Sequence, residues 1–97
     1  HELLEGINLL LSPNGRFVGI FPYVEGNVFV ALATQYALFC TKRFNVAGKE
    51  GARVKRLVLE FARSPQSLEE STLAIRDSRD EYTLEYIELT KDFYLAF

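Results

Sequence analysis

Residues 27–44 read NVFVALATQYALFCTKRF, and what this stretch forms decides the fold. Its first half is rich in Val and Phe, the composition of a strand. The whole run is too long for an ordinary strand, however. Asn27 can cap a helix start, and Lys42 and Arg43 suit a helix C-terminal turn, where cations face the negative end of the dipole. The stretch therefore predicts a central helix over about 27–44. Between Val28 and Cys40 its only polar side chains are Thr34, Gln35 and the Tyr36 hydroxyl. A helix apolar nearly all round cannot be covered by one sheet face, so a further layer or a second subunit is expected against it.

Upstream, HELLEG resembles the last turn of a helix closed by Gly6, with Leu3 and Leu4 as its apolar part. The run LLLSPNGRFVGIF, residues 9–21, then reads as a β-hairpin, because Asn14-Gly15 is the pair that a two-residue type I′ turn prefers. That register sets Leu11 against Val18 and Leu9 against Ile20, with Leu10, Phe17 and Phe21 on the other face. Both faces are apolar, which predicts a ribbon buried between two layers. Pro13 could shift the register or favour a longer loop.

Downstream, NVAGKEGA reads as a loop. RVKRLVLEFAR alternates in the manner of a strand, with Leu57, Leu59 and Phe61 on one face and Val54, Arg56, Val58, Glu60 and Ala62 on the other. Residues 64–80 form a polar insertion, open to two readings: a short helix capped by Ser67 with Glu70, or a short strand at TLAI, residues 72–75. EYTLEYIEL and FYLAF read as two closing antiparallel strands. The expected fold is α+β, an antiparallel sheet sandwiched by helices, in a single domain over 1–97.

The bulk numbers fit that domain: 97 residues, 48% hydrophobic and 25% charged. The single cysteine excludes an internal disulfide, and no leader or membrane-length apolar run stands out, which predicts a cytoplasmic setting. A net charge of −2 argues against a dedicated nucleic-acid binder. The basic cluster Lys42, Arg43, Lys49, Arg53, Lys55 and Arg56 reads as the solvated end of a helix followed by the exposed face of a strand.

Chemistry is sparse. With His1 the only histidine, no histidine triad or multi-histidine metal site can form within the chain, and neither GxxxxGK[ST] nor GxGxxG is present. Cys40 reads as packing. Glu69, Glu70, Asp80, Glu81, Glu85 and Glu88 read as solvated surface rather than a catalytic dyad. Tyr82, Tyr86 and Tyr94 read as half-buried sheet residues. No catalytic, metal or cofactor-binding residue is expected, and the chain does not read as an enzyme.

The pieces ELLEGINLLLSPNGRFVG, the helix 27–44, RVKRLVLEF and ELTKDFYLAF together resemble the Roadblock family of dynein light chains and small-GTPase regulators, with a longin-like fold. The chain departs from that family in lacking most of a first helix and a C-terminal helix, and in carrying the insertion at 64–80. The resemblance implies a non-catalytic cytoplasmic scaffold, a homo- or heterodimer of like domains that regulates a Ras-like small GTPase or its complex. It implies no nucleic acid, no cofactor and only indirect membrane contact. The implied dimer surface is Val28, Leu32, Gln35, Phe39, Val54, Arg56, Val58 and Glu60, with the third strand pairing about Val58 so that Arg56 meets the partner's Glu60. Two alternatives are a small dimeric chaperone for secreted clients and a pleckstrin-like lipid binder. The latter needs 27–44 to be strand.

Overall fold

A computed structural model describes residues 1–93. Helix α1 covers Glu2–Leu10, strand β1 Arg16–Pro22, helix α2 Tyr23–Ala33, β2 Phe39–Lys49, β3 Val54–Ala62, β4 Glu69–Arg76 and helix α3 Leu84–Phe93; a 3-10 turn, Thr34–Tyr36, prolongs α2. The sheet order is β1-β3-β2-β4. β3 is antiparallel to both β1 and β2, whereas β4 is parallel to β2. β1, β2 and β4 thus share one direction, and the α+β architecture is built on a mixed sheet rather than the antiparallel one expected. The cause is α2, which returns the chain to the edge where β1 began, so that β2 starts parallel to it.

The central helix of 27–44 is corrected to a helix and a strand. After α2 and its 3-10 turn, Ala37 takes a left-handed conformation (φ 54°). The Ala37 amide donates to Thr34 O at 3.1 Å and the Leu38 amide to Ala33 O at 3.0 Å. This is the wrap that normally carries glycine at its left-handed position, and it is sealed here by apolar contact between buried Ala33 and Leu38. Asn27 is not a cap. It lies inside α2, donating to Tyr23 O at 3.0 Å, while Pro22 holds the N-cap position.

The hairpin of 9–21 is corrected as well. Leu9 and Leu10 belong to α1, because Leu4 and Ile7 sit at helical spacing on its buried side and Gly6 does not stop it. Neither Asn14 nor Gly15 has the positive φ that a type I′ turn requires, and β1 pairs with β3 instead, Phe17 opposite Phe61 and Phe21 opposite Leu57. The insertion resolves into a loop and β4, which contains TLAI. The expected strand EYTLEYIEL is α3: the Thr83 hydroxyl accepts from the Tyr86 amide at 3.2 Å in the manner of an N-cap, and Tyr86, Leu89 and Phe93 form a helical stripe against the sheet. The final strand FYLAF begins within α3 at Phe93, and its other residues lie outside the described ones.

Two cores hold the layers. On one face α1 and α2 bury Leu4, Ile7, Phe29 and Ala33 against Leu57, Leu59 and Phe61. Phe29 is the hub, with ring centroids 4.6 Å from Phe21 and 5.2 Å from Phe61. On the other face α3 sets Leu89 against Val46, Val58 and Leu73. Gly26 lets α2 lie close on β3, since a Cβ there would stand 2.8 Å from Leu57 Cδ1. Among the described residues no helix is long and apolar enough to cross a membrane.

Candidate functional site

The shared direction of β1, β2 and β4 brings their carboxyl ends, Pro22, Lys49 and Arg76, to one edge of the sheet, together with the start of β3 at Val54. In open α/β sheets this is the edge outside which ligands bind. The turn between β2 and β3 is pinned there: the Glu50 amide donates to Arg76 O and the Ala52 amide to Lys49 O, each at 3.0 Å, and Gly51 supplies the positive φ (79°). Lys49 ends β2, Arg53 lies in the turn, and Lys55 and Arg56 lie in the first residues of β3; all four are exposed and none is in an ion pair among the described residues. Glu50 is the single acid in the segment 49–56.

The neighbouring turn, 77–82, neutralises itself. Arg79 lies 3.8 Å from Asp77 and 3.6 Å from Glu81, and Arg76 meets Asp80 at 3.9 Å. The backbone amides of Glu81 and Arg79 donate to the Asp77 carboxylate and hold its pKa below the usual aspartate value, with Arg79 assisting. The Arg76 guanidinium also stands 4.2 Å over the Tyr82 ring, which stacks on Tyr86 at 5.3 Å. Tyr23, 43% exposed, follows Pro22, whose Cα partner is Arg56.

The opposite end of the sheet carries structural polar networks. A register shift between Cys40 and Lys42 leaves Thr41 as an extra residue, and its hydroxyl donates to Glu60 Oε2 at 2.7 Å; Arg16 reaches the same carboxylate at 3.4 Å. Arg43 donates to Asn27 Oδ1 at 2.7 Å and Asn45 Oδ1 at 2.9 Å, tying α2 to the sheet. Burial pushes the Cys40 thiol pKa up, in keeping with a packing role. Among the described residues no group of three or more His, Cys, Asp or Glu side chains is placed to hold a metal ion.

A second surface lies along β1, whose outer edge has no strand partner among the described residues. Beside it an apolar groove of about 430 Å³ is lined by Leu3, Gly6, Ile7, Leu10, Leu11 and Phe17, and Leu9 and Leu10 are 83% and 88% exposed.

The expected dimer surface is scattered. Val28, 53% exposed, and Leu32 lie on α2, Gln35 is in the 3-10 turn, and Phe39 opens β2. Val54 packs into the first core, Val58 is fully buried under α3, Glu60 is buried with Thr41, and Arg56 stands at the carboxyl edge. Pairing of β3 with a partner's β3 about Val58 has no free edge to use, because β1 and β2 already occupy both sides of it. The sequence-level basic cluster also divides. Lys42 and Arg43 stand beside the start of β4, while the other four members stand at the far end. Tyr23, Arg76 and Tyr82 were missed as members of that end, since nothing local in the sequence states which strands are parallel.

Comparison with known proteins gives a different kinship from the one expected. A protein of Flavobacterium psychrophilum is 45% identical over 94 residues, spanning 97% of this chain and 40% of the relative. One of Haemophilus influenzae strain Rd is 44% identical, spanning 97% and 39%, and one of Bacteroides fragilis NCTC 9343 is 38% identical, spanning 97% and 40%. Each is named tRNA1(Val) (adenine(37)-N6)-methyltransferase. These relatives are tRNA-modifying enzymes. The chain spans about 40% of their length. No family model matches it.

This kinship overturns the Roadblock resemblance, and with it the non-catalytic scaffold, the Ras-like GTPase partner, the chaperone and lipid-binding alternatives, and the expectations of no enzyme and no nucleic acid. Net charge misled because it averages acids elsewhere with the basic segment 49–56, four cations to one acid.

Proposed function

We propose that this chain is part of a cytoplasmic enzyme that methylates N6 of adenine 37 in tRNA1(Val). The observation that carries the reading is 45% identity over 94 residues, 97% of the chain. The geometry agrees with a part of a larger unit. β1 offers an open edge and α1 an apolar groove beside it, surfaces that the remainder of a protein some two and a half times this length can cover. The chain's own contribution is a rigid wing of sheet, braced by helices on both faces, that presents its carboxyl edge to the substrate side.

The test is to express the full-length protein in a bacterial host that lacks this modification and digest the purified tRNA1(Val) for mass spectrometry. N6-methyladenosine at position 37 is expected. Unmodified adenine there, with soluble protein present, sinks the reading.

A further inference from the structure

We propose that the turn between β2 and β3, with the strand ends that flank it, is a tRNA phosphate clamp whose cations are Lys49, Arg53, Lys55 and Arg56. The inference rests on the methyltransferase reading and names where that enzyme holds its substrate. Three observations converge on it. The four side chains are exposed and none lies within ion-pair distance of an acid among the described residues; Lys49 alone acts at longer range on Asp77, so most of their positive field faces solvent. Lys49 and Arg56 flank the carboxyl ends of β2 and β1, and the turn that bears Arg53 is fixed to the end of β4 by the bond from the Glu50 amide to Arg76 O, so the charges are held on ordered backbone. Next to them stand an exposed tyrosine, Tyr23, and the Arg76 guanidinium laid over the Tyr82 ring, flat groups suited to stacking with an unpaired base.

The contrast with the adjacent turn sharpens the assignment. Residues 76–81 hold two arginines and three acids and close on one another, whereas 49–56 hold four cations and one acid and do not. A turn whose cations served only solubility would have no reason to gather at the one edge where three parallel strands end. Phosphate contacts position a nucleic acid without reading its sequence, so the clamp orients tRNA while base recognition happens elsewhere in the enzyme.

The test is the salt dependence of binding of unmodified tRNA1(Val) transcript to the full-length protein, between 50 and 200 mM KCl. Each phosphate contact contributes about 0.7–0.9 to the slope of log affinity against log salt. Three lost contacts therefore separate the parent from an Arg53→Ala/Lys55→Ala/Arg56→Ala variant by roughly 20–40-fold in how much affinity falls over that range. Arg53→Lys/Arg56→Lys, which keeps the point charges, retains the parental slope, and Lys91→Ala on α3 leaves it unchanged. If the parent methylates and binds tRNA but the triple variant, folded by circular dichroism, keeps the parental slope, the clamp is refuted and the methyltransferase reading stands. If the lysine-for-arginine variant loses the slope as the triple variant does, the clamp is likewise refuted. If the parent neither binds nor methylates tRNA, both fall.

Discussion

Gly26→Ala tests how closely α2 is seated on the sheet. A Cβ at this position would lie 2.8 Å from Leu57 Cδ1 and 3.0 Å from Phe21 Cβ. Leu57 is fully buried, so its methyl cannot swing into solvent, and Phe21 Cβ is tied to the backbone of β1. Two effects compete. Alanine in a helix interior is favoured over glycine by about 0.8–1.0 kcal/mol. Overpacking a well-filled core costs about 1–3 kcal/mol. Packing wins, and the net loss is roughly 1 kcal/mol. Gly48→Ala on β2 is the counterpart, because a Cβ there meets nothing within 4 Å and only the backbone gain of about 0.5–1 kcal/mol applies. Urea unfolding of the two variants should therefore place Gly48→Ala above the parent and Gly26→Ala below it, separated by about 1.5–2 kcal/mol. Thermal midpoints should separate in the same order, at about 4–8 °C per kcal/mol for a domain of this size. Equal stability of the two variants would refute the close seating of α2 on β3.

Thr83→Ala removes the cap of α3 and its hydroxyl bond to Ala74 O, and should cost about 1 kcal/mol in urea unfolding, with Thr83→Ser recovering most of it. Ala37→Gly relaxes the left-handed residue after α2, where a Cβ costs about 1–2 kcal/mol, and should raise the thermal midpoint. The depressed pKa of Asp77 means that its contribution is present above the ordinary carboxylate range and is lost as pH falls through its folded pKa; Asp77→Asn should flatten the acid limb of a stability–pH profile below about pH 4.

β3 was legible because a strand with both faces buried still alternates which core it feeds, Leu57, Leu59 and Phe61 to one and Val58 to the other. Residues 27–44 were not, because a helical period and a strand period abut there with neither glycine nor proline between them. The break falls at Ala37, where tertiary contacts of Ala33 and Leu38 impose a conformation that alanine does not choose by itself. α3 was hidden for a related reason. Its Tyr, Ile and Thr content favours a strand locally, and burial of Leu89 against Val46 and Val58 overrides that preference. The basic residues were visible as a cluster, but their division between the two ends of β2 depends on pairings with residues up to some thirty positions away. The sign of the net charge concealed the local field for the same reason: it has no spatial coordinates.

The open edge of β1 also bears on solubility. Its segment FVGIF, residues 17–21, is apolar, uncharged and free of proline, and the features that usually discourage strand-to-strand stacking, Arg16 and Pro22, stand only at its two ends. A ribosome releasing this segment before its neighbouring strand is in place exposes a template for pairing with another copy. Overexpression of the 97-residue chain should accordingly favour β-rich aggregates that Ile20→Lys, at a position pointing away from the first core, would suppress.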